Sequence, residues 1–404
     1  MSQRAPLSRV EFIAMLAMLF ATVAFSIDSM LPALPEIARE LSPENANRAQ
    51  LVLTSFVLGM GVGTFFTGPL SDMFGRKPVI LAGAGLYIAG AAMTYSAQGL
   101  ELVLAARVIQ GLGAAAPRVV GLAIVRDLYA GRGMARIMSF AMMVFTLVPA
   151  VAPLIGSWII VLSDWRGIFI AFILFALFSS GWLALRQTET LPREARRPMH
   201  PVALWQAVRD MFSHHTVRFS ILAQTLCFSF LFISISLIQP IFDEVFGKAE
   251  SFPYWFAGMA LMSGSASLLN AALVMRYGMR VLATFALATQ AGLSVLVTVI
   301  WLAGLQGDPM FYVFLVWMTT VFFTVGLTLG NLNAITMEPL GHIAGTAASV
   351  SGGLATVFGA AVAAPVGLAF NGTPLPLTLG VATAAVLGWA SLQYIRRIED
   401  RGFI

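Results

Sequence analysis

The chain has 404 residues, 58% of them hydrophobic and only 11% charged, with a formal net charge of +5. A soluble domain carries roughly 25% charged residues, and a mean hydropathy of +0.85 is more than one buried core can absorb, which excludes a soluble globular protein. Apolar runs of about 20 residues, the length that spans a bilayer as a helix, recur along nearly the whole chain and point to a polytopic membrane protein. The single cysteine, Cys227, excludes an internal disulfide. His200, His214, His215 and His342 lie in or beside loops and form no metal-ligand pattern.

Twelve helical spans are expected, over residues 11–34, 50–70, 78–97, 102–125, 135–162, 166–186, 219–240, 254–275, 281–304, 310–335, 345–370 and 375–395. Lipid cannot satisfy exposed backbone groups, so helices are the economical choice. The first span reads SIDSMLPALPEIA near its end, and Asp28 is the acid it holds within the membrane. Between the second and third spans lies GPLSDMFGRK. Here Gly75 permits a tight reversal, Arg76 and Lys77 anchor the hairpin, and Asp72 at a helix end is placed to pair with a base or a helix N-terminus.

The fourth span carries LAARVIQGLGAAAPR, with Arg107, Gln110, Gly111 and Gly113. A charge inside a span is costly and marks a functional site by default. Arg118 follows Arg107 by eleven residues, which at about 100° per residue returns to within about 20° of the same face, about 16 Å along the axis. In the fifth span, VPAVAPLIGSW places Pro149, Pro153 and Gly156 where they bend the helix and let a neighbour approach.

After the sixth span, residues 187–218 form a linker with three histidines and three prolines, separating a first half (1–186) from a second (219–404). The halves share a repeat: NAALVMRYGMR places Gly278 203 positions after Gly75. Arg280 then matches Lys77, while Met275 stands for Asp72 and Met279 for Arg76. Gln224, Gln239, Asn270, Asn331 and Asn333 are the polar residues of the second half's spans that could line a cavity. Of the loop bases only Arg39, Arg48, Arg166 and Lys248 fall on the opposite side from the rest, which orients the chain N-in and C-in. Bases at helix ends meet anionic headgroups and form no nucleic-acid surface.

Gly68-x-x-x-Asp72-x-x-Gly75-Arg76-Lys77 resembles the signature loop of the major facilitator superfamily, and Arg107-x-x-Gln110-Gly111 its span-four motif. Pro149, Pro153 and Gly156 resemble the antiporter motif of its drug:proton exporters, with Ala152 and Ser157 in place of two glycines. The span-one pattern, with IVRDLYAGRGMAR, DWRGIF, TETLP and MEPLGHIAGTAAS, is similar to the bicyclomycin/chloramphenicol-resistance (Bcr/CflA-like) branch. The resemblance implies an all-α integral membrane fold of twelve helices in two pseudo-symmetric six-helix bundles. It implies proton-coupled efflux of drugs by alternating access in the bacterial inner membrane, the alternative being a proton-coupled importer or exporter of one metabolite.

On that reading the proton gradient is the energy source and no cofactor is needed. The partners are a small-molecule substrate, protons and lipids, without nucleic acid, and the chain acts as a monomer. Asp28 is the expected proton carrier, at a depth that permits a pair with Arg107. Gln110, Arg118, Gln224, Gln239, Asn331 and Asn333 are expected to line the cavity. Asp72, with Gly68, Gly75, Arg76 and Lys77, is expected to latch the cytoplasmic side. An intramembrane enzyme is disfavoured, because the spans hold no paired acids, histidine cluster or Ser–His dyad.

Overall fold

Glycine, proline and charge decide where each apolar run starts and stops as a helix. The computed structural model describes residues 7–196 and 201–400, and among them it is all-helical. The helices are α1 (Arg9–Asp28), α2 (Leu34–Leu41), α3 (Leu51–Phe74), α4 (Arg76–Ser96), α5 (Leu100–Leu128), α6 (Gly131–Leu162) and α7 (Gly167–Arg186). They continue as α8 (Pro201–Ser213), α9 (His215–Pro240), α10 (Phe252–Tyr277), α11 (Met279–Leu302), α12 (Gly307–Met337), α13 (Ala344–Leu368) and α14 (Leu375–Asp400). Among the described residues, eleven helices are long and apolar enough to cross a membrane, and Leu147–Leu162 adds a shorter apolar stretch. The protein is therefore a multi-pass membrane protein.

The chain divides into two compact units. The first holds residues up to Ile37 and Ser55–Pro201. In it α1 packs on α5, α6 and α7, and α4 lies against α5 and α7. Its close contacts rest on glycine: a Cβ at Gly113 would meet the Gly83 carbonyl and lie 2.5 Å from the Tyr87 amide, so α5 and α4 touch backbone to backbone. The second unit holds Ala38–Thr54 and Val202 onward. There α9 is central, packed on α12, α13 and α14, with α11 against α12 and α14, and α10 against α12. The Asn47 amide donates to the carbonyls of Leu368 (3.0 Å) and Phe370 (2.7 Å).

One element differs from the sequence expectation. The first span is not one helix to residue 34. It breaks after Asp28, passes through a 3₁₀ turn at Leu31–Ala33 and resumes as α2, because Pro32 and Pro35 supply no N–H and crowd the carbonyls four residues back. The linker itself carries a helix. Residues 197–200 lie outside the described ones, but beyond them α8 forms, burying Met211 and exposing Trp205 and Phe212.

Candidate functional site

The break in α1 builds the site. Pro32 cannot bond the Asp28 carbonyl, and the Met30 amide turns to the Ile27 carbonyl (3.3 Å) instead of reaching Ser26. The Ser26 carbonyl is thereby left without its in-helix donor. Arg107 of α5 supplies one: its Nη2 donates to Ser26 O (3.0 Å), while Nη1 donates to Gln110 Oε1 (2.8 Å). The guanidinium lies 4.4 Å over the Phe56 ring of α3 and 5.8 Å from that of Phe169 in α7, and the residue is fully buried. The same turn of α1 is held from α4 by the Ser26 and Tyr87 hydroxyls, 2.5 Å apart.

Asp28 ends the helix that Arg107 grips, yet the two do not pair. Ser26 faces α4, and two residues on, at about 200° round the helix, Asp28 points the other way. The depth along the two helices permits an Asp28–Arg107 pair, but the guanidinium bonds the Ser26 carbonyl instead. Asp28 is only 5% exposed, and among the described residues its side chain has neither a hydrogen bond nor an ion pair. Among those residues, Asp28, Arg76 and Arg107 are the buried charged side chains.

The proline–glycine segment of α6 closes on the same break. Pro149 and Pro153 lie inside α6, which packs on both α1 and Leu31–Ala33. A Cβ at Gly156 would collide with the Ser29 carbonyl oxygen, one residue past Asp28. Gly156→Ala is therefore expected to destabilise the protein by about 1–3 kcal/mol, read as a lower melting temperature in detergent. Gly258→Ala, where nothing lies within 4 Å of the added Cβ, serves as the control. Equal melting temperatures for the two variants would contradict the close approach.

The hairpin between α3 and α4 is a second polar centre. Gly75 takes φ +105°, a conformation glycine tolerates. Arg76 Nη1 donates to Asp72 Oδ1 (2.5 Å) and Ser71 Oγ (2.7 Å), and its Nε donates to Asp127 Oδ2 (3.0 Å) at the end of α5. Glu189 caps the start of α4: its two oxygens accept the backbone amides of Arg76 (2.9 Å) and Lys77 (3.1 Å), where a helix leaves its first N–H groups without partners. Lys77 Nζ donates to the carbonyls of Ala184 (2.7 Å) and Gln187 (2.9 Å), closing the end of α7. Thr190 donates to Asp127 (3.0 Å). Gly68 lies in the last turns of α3, its carbonyl accepting from Ser71 Oγ (2.8 Å). Sequence reasoning found Asp72, Gly75, Arg76 and Lys77 here but gave no role to Asp127 or Glu189. Both stood in stretches quoted for the family resemblance, RDLYAG and TETLP, which was the available signal.

The second hairpin keeps part of this design. Gly278 has φ +83°, and Arg280 pairs with Glu338 (3.1 Å) at the end of α12, as Arg76 pairs with Asp127 at the end of α5. Met275, in the place of Asp72, is 90% exposed. Of the candidate cavity residues in the second unit, two spend their amides on helix contacts. Gln224 donates to Thr336 (2.8 Å), and Asn331 donates to Asn270 (2.7 Å). Asn333 is exposed, and Gln239 is buried with its Oε1 lacking a hydrogen bond among the described residues. Among those residues no group of three His, Cys, Asp or Glu side chains gathers to hold a metal ion.

Residues 14–365 match the Major Facilitator Superfamily. The chain is 28% identical over 398 residues to the bicyclomycin resistance protein homolog of Haemophilus influenzae, covering 97% of this chain and 98% of that one. It is 24% identical over 364 residues to multidrug resistance protein D of Escherichia coli, covering 86% of each. Over 150 residues, 36% of this chain and 35% of the other, it is 38% identical to a chloramphenicol resistance protein of Pseudomonas aeruginosa. Its fold is that of the crystallised D-xylose–proton symporter, with a TM-score of 0.75 at 15% identity, covering 95% of this chain and 98% of that one.

Proposed function

The chain belongs to the Major Facilitator Superfamily and is a transporter rather than an enzyme; from that premise we propose that it exports drugs or related small molecules in exchange for protons. The observation that carries this reading is Asp28: a buried carboxyl without a fixed counter-charge, at the broken end of α1. Such a group can take up and give back a proton as its surroundings change, which a permanently paired carboxylate does poorly. Arg107 and Gln110 hold the break that places it, and Gly156 with Pro149 and Pro153 braces the other side. The likeness to bicyclomycin, multidrug and chloramphenicol resistance proteins supports export as the direction.

The full reading is twelve spans, N-in and C-in, in the bacterial inner membrane, working by alternating access. The Asp72–Arg76–Asp127–Glu189 cluster then lies at the cytoplasmic side and holds the first unit's hairpin in shape. A drug-sensitive bacterial host expressing the chain is expected to withstand higher concentrations of bicyclomycin or chloramphenicol and to hold less drug when energised. Unchanged susceptibility and unchanged drug content across a broad panel would remove the exporter reading in favour of metabolite transport.

A further inference from the structure

Arg118 is the motif residue that the coupling site does not use. On α5 every residue from Ala106 to Val125 is buried or half-buried except Arg118, which is exposed. Among the described residues its side chain makes no hydrogen bond, ion pair or ring contact. It stands ten residues, or about 15 Å, before the end of the helix at Leu128.

The direction in which it points follows from its neighbours. At about 100° per residue, Gly111, Arg118 and Gly121 fall at about +40°, +20° and −40° from Arg107 round α5. A Cβ at Gly111 would press on Phe56 and Met60 of α3, and one at Gly121 on Phe20 (2.7 Å) and Leu16 (3.2 Å) of α1. Arg107 itself touches both α1 and α3. Arg118 therefore sits on the arc of α5 turned toward α1 and α3, and its exposure is an opening on that arc.

Two further placements narrow the ligand. Gly59 meets Val108, and Gly63 meets Leu112 and Ala115, so α3 and α5 run parallel and the next turn of α3 comes level with Arg118. That turn holds Phe66, which is 51% exposed. Asp28 is no counter-ion for this guanidinium, since it belongs to the Arg107 level, about 16 Å away along the axis. A mid-span cation in accessible space, without a protein anion, is costly to retain unless a ligand uses it. The guanidinium fork fits a carboxylate through two parallel hydrogen bonds, and an apolar ring at the same depth suits the body of an amphiphilic molecule.

We propose that Arg118 is a substrate-recognising residue and that the transported compounds include amphiphilic organic molecules bearing a carboxylate. The proposal rests on the transporter reading and adds the substrate class. Its test uses two probes that share a scaffold and differ in charge, chloramphenicol and chloramphenicol succinate, bound to the full chain in nanodiscs. Wild type is expected to bind the succinate about tenfold more tightly than the neutral parent, as one charge-assisted contact allows. Arg118→Met is expected to bring the ratio of the two affinities to about one, and Arg118→Lys to keep part of the preference. A wild type without preference, including one that binds neither probe, overturns the proposal, as does a preference that survives in Arg118→Met. Export of the neutral parent from cells is scored separately, so that failure of the exporter reading is told apart from failure of the anion site.

Discussion

Asp28→Asn is expected to leave the protein folded and able to bind drug but unable to concentrate it. In inside-out membrane vesicles with an acidic lumen, a pH difference of one unit supplies 1.36 kcal/mol per proton, enough for about tenfold drug accumulation per proton exchanged. Asparagine has nearly the shape of aspartic acid but carries no titrating proton, so the accumulation ratio should fall to about one. Drug-for-drug counterflow, which needs binding and reorientation but no proton gradient, should survive in the variant. The physical basis is the surroundings of Asp28: it is buried, lies at the end of α1, and has no ion pair among the described residues. Accumulation at the wild-type ratio would show that another group carries the proton.

Arg107→Met should cost the most stability of any single change at this site. The substitution keeps the apolar stem but withdraws donors from two buried acceptors, the Ser26 carbonyl and Gln110 Oε1. An orphaned buried polar group costs about 1–3 kcal/mol each, and loss of the cation over Phe56 adds about 0.5–2 kcal/mol. A lowered melting temperature should come with slowed transport, because the same bond fixes the end of the helix that bears Asp28. Arg107→Lys keeps the charge as a single point and loses the planar fork, so it should fall between the two. If Arg107→Met melted and transported like wild type, the grip on the α1 break would be unimportant.

The spans were legible because lipid imposes a length and forbids unpaired backbone. Observed helix ends lie close to the expected ones at the glycine hairpins of Gly75 and Gly278, whereas the proline-marked end of the first span breaks earlier than expected. Asp28 and Arg107 stood out because a charge in a span is rare. The site's partners were less legible, since each lies far off in sequence: Glu189 reaches the amides of Arg76 and Lys77 across 113 and 112 positions, and Arg107 reaches Ser26 across 81. Side-chain amides within spans serve helix contacts more often than substrates, and those of Gln224 and Asn331 bond Thr336 and Asn270 of neighbouring helices.

Apolar runs of spanning length, the prolines near the end of the first, the duplicated glycine hairpin and the two in-span arginines can all be read along the chain. These are local matters of transfer free energy and backbone freedom. That Arg107 bonds a carbonyl released by a helix break, rather than Asp28, follows from packing and not from spacing. The reason is geometric: pairing needs direction as well as depth, and depth alone can be counted along a sequence. Direction depends on how α1 breaks at Pro32 and on which face α4 and α5 then meet.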